Sequence, residues 1–410
     1  MAGHGPGFCN GRATASARLS GARFAPLRYI PRRMEMMFAA VAAVAVAAVL
    51  AIAHYAFWSR RLYQPSRDDG IVRAETSDGW RLALGIRLPR EPERRPPVLL
   101  VHGLSANRWM LDAGVESFSL AAHLSRRGFR TFALDLRGHG DSRAAPRRAG
   151  GWDFDTYLAR DVPAALDAIR RDTGEEQVLW VGHSLGAVAG LVACQLYPER
   201  IAGIVSVAGP VSFDVDGLIA RYLGWGFLVD GRFNRTLARM IAPWAGVFHP
   251  VASEIAINGR NMDRPVFQRM MANAIDDVPP GVFLQLADWV LHDACRSADR
   301  TRDYRAGLAG CCQPALFLSG VLDHLAPPAV VEKAFSLWGG PKELVEFKVE
   351  NGHSADYGHT DLLLGKRAPH DVHPAVLAWL LAHSQERPSQ PGSAPAAAAP
   401  PGPRAGEAAA

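Results

Sequence analysis

The chain has 410 residues, 49% of them hydrophobic, and can bury one large core with an inserted subdomain or two modest domains. Its formal charge of +5 is unevenly distributed. Residues 1–73 hold ten arginines against Glu35, Asp68 and Asp69, a net of +7, so the rest of the chain carries −2. A nearly neutral folded part argues against a nucleic-acid partner. The five cysteines lack the paired spacing of zinc sites and disulfide frameworks, so no metal site is predicted.

A long apolar segment lies near the amino terminus. It runs from Met36 to Trp58, reads MMFAAVAAVAVAAVLAIAHYAFW and holds no acid, lysine or arginine, so it can cross a bilayer as a helix. The pattern predicts a disordered extension over 1–35 and a single transmembrane helix over 36–58. A cleavable signal peptide is the alternative, because Ala51-Ile52-Ala53 has the small-x-small form that precedes cleavage sites. Arginines flank both ends of the segment, so the membrane side that carries the remaining chain stays open.

Short β-branched runs alternate with helical patterns after residue 72, which is typical of a parallel sheet with crossover helices. Their continuous apolar character indicates strands that are buried on both faces. The predicted strands are PVLLVHG (97–103), TFALDL (131–136), VLWVGHS (178–184), IVSVAG (204–209), ALFLSG (315–320) and LVEFKV (344–349). An antiparallel hairpin is expected before them over 72–88, where Ser77-Asp78-Gly79 is a turn tripeptide between alternating runs.

The strand rhythm breaks between residues 211 and 310. That stretch has helical patterns and many aromatic residues, which predicts a helical cap inserted into a core formed by 72–210 and 311–385. Packing on the core accounts for most of these aromatic residues. They are Phe213, Tyr222, Trp225, Phe227, Phe233, Trp244, Phe248, Phe267, Phe283 and Trp289. The last residues, 386–410, are rich in proline and alanine and are predicted to form a disordered tail.

The pentapeptide Gly182-His183-Ser184-Leu185-Gly186 fits the pattern G-x-S-x-G. The apolar strand VLWV precedes it and the helix-forming run AVAGLVACQLY follows it. A serine on such a sharp strand-to-helix turn adopts a strained backbone, and the two flanking glycines make room for it. The context therefore predicts that Ser184 is a nucleophile at the carboxyl end of the sheet. The alternative, an ordinary glycine-rich turn, does not explain the strand and the helix on either side.

A serine hydroxyl needs a base and an acid that orients this base, and both are expected downstream of Ser184. Asp323 follows the strand ALFLSG directly and is the candidate acid, with Asp214 as the alternative. Two candidate bases, His353 and His359, lie in the loop after LVEFKV. Spacing alone favours His353, so the residues by themselves leave the base open.

The stretch YGHTDLLLGKRAPHDV (357–372) resembles the gastric-lipase-like branch of the α/β-hydrolases. In that branch the catalytic histidine stands two residues before an aspartate, and an alanine-proline pair and a valine follow. The resemblance therefore implies that His359 is the base. It covers about residues 72–385 and implies the α/β-hydrolase fold, a mostly parallel sheet flanked by helices. With the features predicted above, the expected fold class is an α/β-hydrolase fold with a helical cap insertion and an N-terminal transmembrane helix.

A tetrahedral intermediate needs amide donors aimed at its oxygen. In the α/β-hydrolase fold these follow the nucleophile and an early strand, which implies the amides of Leu185 and Leu104, with Gly103 as the alternative to Leu104. His102 is expected to orient this loop. The stretch DLRGHGDS (135–142) also resembles a turn of the family, and we interpret its Asp135 and His139 as structural.

These residues together predict a serine hydrolase that cleaves a carboxylic ester through an acyl-enzyme on Ser184. The resemblance implies neither a metal nor a cofactor. The apolar cap and the membrane helix favour a hydrophobic or lipid-like ester, with some cap aromatics lining an acyl pocket. One alternative is an acyltransferase that uses the same three residues. Another is a catalytically silent, membrane-bound binding protein with the same fold. Oligomeric state has no signal in the sequence.

Overall fold

The structure is a computed structural model. It describes residues 32–90, 95–144, 151–213, 233–247 and 255–384. The chain divides into two compact units, with the boundary between Ala53 and His54. The predicted tail 386–410 and most of the predicted extension 1–35 lie outside the described residues.

The first helix, α1, spans Arg32–Arg61. It starts four residues before the predicted segment and ends three residues after it, because the flanking arginine, methionine and glutamate residues are good helix formers. Its 30 residues extend over about 45 Å, which exceeds the thickness of a bilayer core. The stretch Arg33–Arg61 is long and apolar enough to cross a membrane, and the side chains of its most apolar part are exposed.

In the described part of the chain, nine strands form one sheet in the order β1-β2-β4-β3-β6-β7-β8-β9, and β5 pairs with β2. The strands are β1 (Gly70–Glu75), β2 (Trp80–Arg87), β3 (Val98–Val101), β4 (Thr131–Asp135), β5 (Arg143–Ala144), β6 (Val178–His183), β7 (Ile201–Val207), β8 (Ala315–Gly320) and β9 (Lys342–Phe347). The first two form the predicted antiparallel hairpin, and β2 pairs antiparallel with β4. From β4 to β9 all neighbours are parallel.

Burial along the strands follows their position in the sheet. Every residue of β3, β4, β6 and β8 is buried, as the continuous apolar runs predict. The last strand differs, since only Phe347 of β9 is fully buried. β9 is at the edge of the sheet, where no further strand covers it, and its Lys342, Glu343 and Glu346 suit an exposed edge.

The remaining α-helices of the described residues lie between the strands and after them. They are α2 (Leu120–Ser125), α3 (Phe154–Thr156), α4 (Val162–Thr173), α5 (Leu185–Leu196), α6 (Asn234–Ile241), α7 (Arg264–Asn273), α8 (Pro280–His292), α9 (Pro328–Leu337), α10 (Asp361–Leu364) and α11 (Val372–Ala382). A π-helical turn, Tyr157–Asp161, joins α3 to α4, and α4 ends at Gly174 in the left-handed region.

Helices α6, α7 and α8 lie between β7 and β8, and the described residues of this insertion form no strand of the sheet. Part of the insertion packs on the core. The buried Trp289 contacts Phe154 edge to face, with 5.0 Å between the ring centroids. Phe233 and Trp244 are exposed instead. The bounds 211–310 stay a prediction, since residues 214–232 and 248–254, with four of the aromatic residues, lie outside the described part.

Candidate active site

Ser184 lies on the turn between β6 and α5. Its φ of 54° and ψ of −120° are in a region that non-glycine residues rarely adopt, so its backbone is strained. The Ser184 amide donates to the carbonyl of Val207 on the neighbouring strand, with an N···O distance of 2.9 Å. This hydrogen bond holds the strained residue at the carboxyl end of the central strand.

Glycines surround the Ser184 turn because there is no space for side chains. A Cβ atom at Gly182 would meet the carbonyl of Gly186, and one at Gly186 would meet the carbonyl of Val101. A Cβ atom at Gly103 would lie 2.9 Å from the Cβ of Ser184. The loop after β3, which was predicted to supply an oxyanion donor, therefore passes directly beside Ser184.

Asp323 and His359 form a buried pair at the same edge of the sheet. The Nδ1–H of His359 donates to Oδ2 of Asp323 at 2.7 Å, and the two residues are only 5% and 1% exposed. The other carboxylate oxygen of Asp323 accepts from the amides of Leu325 and Ala326, both at 2.8 Å. These three donors hold the carboxylate in one orientation, so Asp323 can fix the imidazole in turn.

The other candidate base and acid are not part of this pair. The ring of His353 packs against Phe347, with 4.5 Å between ring centroids. His353 makes no side-chain hydrogen bond within the described part of the chain. The alternative acid, Asp214, lies outside the described residues.

His183 connects the pair to Ser184. Its Nε2–H donates to the carbonyl of His359 at 3.1 Å, and the two rings are 4.7 Å apart. Burial lowers the pKa of His183 to about 3, so this ring is neutral at neutral pH. The His359 loop thus lies against the residue that precedes Ser184. In the described structure the Ser184 hydroxyl and the His359 imidazole are not hydrogen-bonded to each other. Hydrogen bonds between catalytic groups are often long without substrate and shorten when substrate binds.

The two predicted oxyanion donors are backbone amides that have no acceptor among the described residues. Leu185 is the first residue of α5, where an amide has no partner within its helix. The Leu104 amide donates no hydrogen bond to any described residue. His102 is buried, and its Nε2 accepts from the Leu136 amide at 3.2 Å while its Nδ1–H donates to the Gly103 carbonyl at 2.8 Å. His102 therefore orients the loop, as its sequence position indicated.

The insertion holds the loop that carries Leu104. Ala106 and Ile275 form an antiparallel bridge, which places the two chain segments side by side. The Asp276 amide donates to the Ser105 carbonyl at 2.9 Å, and the Ser105 hydroxyl donates back to the Asp276 carbonyl at 2.5 Å. Ser105 has a φ of 56°, so these reciprocal hydrogen bonds stabilise a strained backbone directly after Leu104.

The side chain of Asp276 extends this contact, and sequence reasoning missed it. Asp276 is 2% exposed, and its carboxylate accepts from the Gly140 amide at 2.6 Å, from Asn107 Nδ2 at 3.2 Å and from Arg235 Nε at 2.8 Å. It thereby joins α6, the turn after β4 and the loop after β3. The sequence signal was weak, because an aspartate in a polar stretch of an insertion is usually exposed.

Asp361 holds the His359 loop in a similar way. Its buried carboxylate accepts from the amides of Gly358 and Asn258, both at 3.0 Å, and from Asn261 Nδ2 at 2.9 Å. Burial raises the pKa of Asp361, and these three donors oppose that rise. The aspartate that marked the family resemblance therefore ties the histidine loop to the insertion.

The turn after β4 has a structural role, as we interpreted it from the sequence. The carboxylate of Asp135 accepts from the amides of Arg108 and Asp141, both at 2.8 Å, and it pairs with the Arg108 guanidinium. His139 is buried and hydrogen-bonds to the Tyr157 hydroxyl at 3.2 Å. These contacts hold the turn after β4 against the loop that follows β3 and against the π-helical turn.

Comparison with known proteins identifies the family. The sequence model of the family described as alpha/beta hydrolase fold matches residues 96–360, well over half of the chain. The chain belongs to this family. The match extends from the segment before β3 to Thr360 and includes Ser184, Asp323 and His359.

Several lipases and esterases are similar to this α/β-hydrolase. Lysosomal acid lipase/cholesteryl ester hydrolase of Macaca fascicularis is 32% identical over 34% of this chain, and the alignment spans 39% of that lipase. Human lipase member M is 29% identical over 77% of this chain and 81% of its own length. A thermophilic esterase from Thermogutta terrifontis shares the fold, with a TM-score of 0.53 and 20% identity over 77% of this chain and 99% of that one. The predicted resemblance to a lipase and esterase branch is confirmed.

The Asp276→Ala variant of this α/β-hydrolase is expected to lower kcat by about tenfold on a soluble p-nitrophenyl ester, with little change in KM. The substitution releases the loop that carries Leu104, and an oxyanion donor acts mainly in the transition state. Asp277→Ala is the matched control, since among the described residues Asp277 accepts only from the Arg235 amide at the start of α6. A kcat within twofold of wild type for Asp276→Ala would contradict the role of this contact.

The fold is expected to lose stability as the pH falls from 6.5 toward 3. Burial lowers the pKa of His139, His183 and His373 to about 3, whereas an unfolded histidine titrates near 6.5. Below pH 6.5 the unfolded state therefore binds more protons, and each histidine lowers the free energy of unfolding by up to about 1.4 kcal/mol per pH unit. Asp161 and Asp361 act in the opposite direction, because burial raises the pKa of both carboxyls, that of Asp161 to about 6, so the folded state takes up protons there.

Urea unfolding of the full chain in detergent, followed by circular dichroism at pH 7.5 and pH 5.0, measures this loss. His373→Gln is expected to make the pH dependence shallower, since His373 is buried and lies on α11, away from the Ser184 turn. His370→Gln, three residues earlier and exposed, is the control and is expected to leave the dependence unchanged. Equal free energies of unfolding at the two pH values would show that these histidines are not buried in their neutral form.

Proposed function

We propose that this α/β-hydrolase is a serine hydrolase that cleaves a carboxylic ester through an acyl-enzyme on Ser184. The observation that carries the proposal is the buried hydrogen bond from His359 to Asp323, located against the strained Ser184 turn. A neutral imidazole held by a carboxylate is the base that a serine hydroxyl needs. The similar lipases and the esterase named above support an ester as the substrate.

In the proposed mechanism, the Ser184 Oγ attacks the ester carbonyl carbon while the Nε2 of His359 takes the hydroxyl proton. Asp323 orients the imidazole through Nδ1 and stabilises the imidazolium that forms. The amides of Leu104 and Leu185 donate to the oxyanion of the tetrahedral intermediate. The alkoxide leaves with the proton from His359, and a water molecule, deprotonated by the same histidine, releases the carboxylic acid.

The proposed location is a membrane, with α1 as a single-pass anchor. The helix is 30 residues long, and its valine, leucine and isoleucine side chains are exposed, as a lipid environment favours. The bilayer would keep the enzyme close to apolar substrates. The proposed membrane anchor and the similarity to lipases together support a hydrophobic or lipid-like ester as the substrate.

Hydrolysis of p-nitrophenyl esters of increasing acyl length tests the proposed substrate class. We expect kcat/KM to rise from the acetate toward the octanoate, by at most about fourfold for each methylene that becomes buried. The release of p-nitrophenol from monomeric esters by the full chain in detergent is the measurement. A flat or falling profile would contradict the hydrophobic substrate, and release no faster than in buffer would contradict ester hydrolysis itself.

A further inference from the structure

A cavity of about 660 Å³ lies beside the segment that follows α1. Three arginines, Arg67, Arg126 and Arg269, line it together with one acidic residue, Glu116. Three positive charges and one negative charge leave the lining at +2. We infer that this cavity binds the phosphate of an anionic phospholipid head group, a role that rests on the proposed membrane anchor.

Within the described residues, the positive charge of the cavity lining is neutralised only in part. Glu116 pairs with Arg126 at 3.3 Å, but its carboxylate also contacts Arg87 at 3.3 Å and Arg90 at 3.5 Å. One negative charge is thus shared by three guanidinium groups. The side chains of Arg67 and Arg269 make no hydrogen bond or ion pair with any residue that the structure describes. Two arginines therefore have all their donors available to a ligand.

The backbone of the cavity wall is held in place. The Gln64 amide donates to Asn273 Oδ1 at 2.9 Å, and Gln64 Nε2 donates to the Gly114 carbonyl at 2.6 Å. Trp109 Nε1 donates to the Gln64 carbonyl at 2.8 Å. These hydrogen bonds fix the segment before Arg67 against α7 and the loop after β3. A preformed wall lowers the entropic cost of binding.

The chemistry of the lining favours a phosphate oxyanion. A guanidinium group is always charged, and its planar fork matches two oxygens of a phosphate. The three arginines come from separate parts of the chain, namely the segment after α1, the end of α2 and α7. They can therefore approach one phosphate from different sides.

The position of Arg67 in the chain favours a lipid over free phosphate. Arg67 follows Arg61, the end of α1, by six residues, so at most about 20 Å of extended chain separates it from the proposed anchor. Basic residues near a membrane attract anionic lipids. We therefore assign the cavity to the head group of a lipid in the membrane that holds α1.

Calorimetric titration of the full chain in detergent micelles tests this site. The Ser184→Ala background prevents turnover of the probes, which are dihexanoyl phosphatidylglycerol, dihexanoyl phosphatidylcholine and inorganic phosphate. We expect the anionic lipid to bind about tenfold more tightly than either of the others. Equal binding of the two lipids would overturn the inference, and tighter binding of inorganic phosphate would overturn its assignment to a lipid.

Variants locate the binding in the cavity. The double substitution Arg67→Ala and Arg269→Ala is expected to weaken binding of the anionic lipid by about tenfold or more, since each arginine contributes charge-assisted hydrogen bonds. Arg264→Ala is the matched control, because Arg264 is exposed on the same helix, α7, and does not line the cavity. An unchanged affinity in the double variant, with an unchanged melting temperature, would refute the site.

The lipid site and the proposed hydrolysis can fail separately. With Ser184 intact, the double arginine variant is expected to hydrolyse a soluble p-nitrophenyl ester at the wild-type rate. Loss of lipid binding with hydrolysis intact identifies the cavity as a separate binding site. Loss of ester hydrolysis in this variant would contradict the separation of the cavity from the Ser184 turn.

Discussion

The Ser184→Ala variant is expected to lower kcat/KM for p-nitrophenyl esters by about 10⁵-fold, the scale of loss found when a serine nucleophile is removed. Alanine has no oxygen to form the acyl-enzyme, so only uncatalysed attack by water remains. The backbone at position 184 does not depend on the hydroxyl, because its amide bonds to Val207. We therefore expect the variant to fold, with a melting temperature close to that of wild type.

A fluorophosphonate probe checks the same residue without a substrate. The wild-type chain is expected to become labelled at Ser184, and the alanine variant is expected to remain unlabelled. Ser354→Ala is a suitable control, since Ser354 is exposed in the loop that also carries His359. Absence of labelling in the wild type, under conditions that label a known serine hydrolase, would leave the proposed mechanism without its nucleophile.

The His359→Gln variant is expected to lose about 10⁴-fold in kcat, because glutamine cannot accept the serine proton. His353→Gln removes the same type of side chain from the same loop and is expected to stay within twofold of wild type. The difference follows from geometry, since His359 donates to Asp323 while the ring of His353 packs on Phe347. Steady-state rates on one soluble ester measure both variants.

The opposite ranking of these two histidine variants would identify His353 as the base and would require the loop to rearrange. A small loss in both would show that neither imidazole takes the proton. Both variants should stay folded at the assay temperature, because among the described residues each replaced side chain makes at most one hydrogen bond. The kinetic comparison therefore does not depend on stability.

The sequence by itself determined the sheet and the Ser184 turn. Buried parallel strands need continuous apolar runs, and five of the six predicted runs coincide with fully or almost fully buried strands. The turn is mostly local, since the strain of Ser184 and the close contact of Gly182 with Gly186 involve residues within a few positions of one another, whereas the close contact of Gly186 with the Val101 carbonyl depends on the neighbouring strand β3. Such features have a signature in adjacent residues. The edge position of β9 depends on the whole sheet, so its exposure was not predicted.

The choice between His353 and His359 as the base could be predicted from the sequence only in part. Spacing favoured His353, and a family resemblance was needed to favour His359. The structure pairs His359 with Asp323, which is 36 residues away. The path of the loop decides which imidazole reaches the carboxylate, and loop paths are only weakly encoded in residue type.

Only the tertiary structure showed how the insertion holds the site. The Ser105 hydroxyl bonds to the backbone of Asp276, 171 residues away, and the buried Asp276 carboxylate joins three segments. Backbone hydrogen bonds between distant segments are not indicated by residue type. The sequence also does not distinguish a buried aspartate from an exposed one. The arginine-lined cavity has the same origin, because Arg67, Arg126 and Arg269 meet only after the chain has folded. Features that depend on adjacent residues could be predicted from the sequence, whereas contacts between distant segments could not.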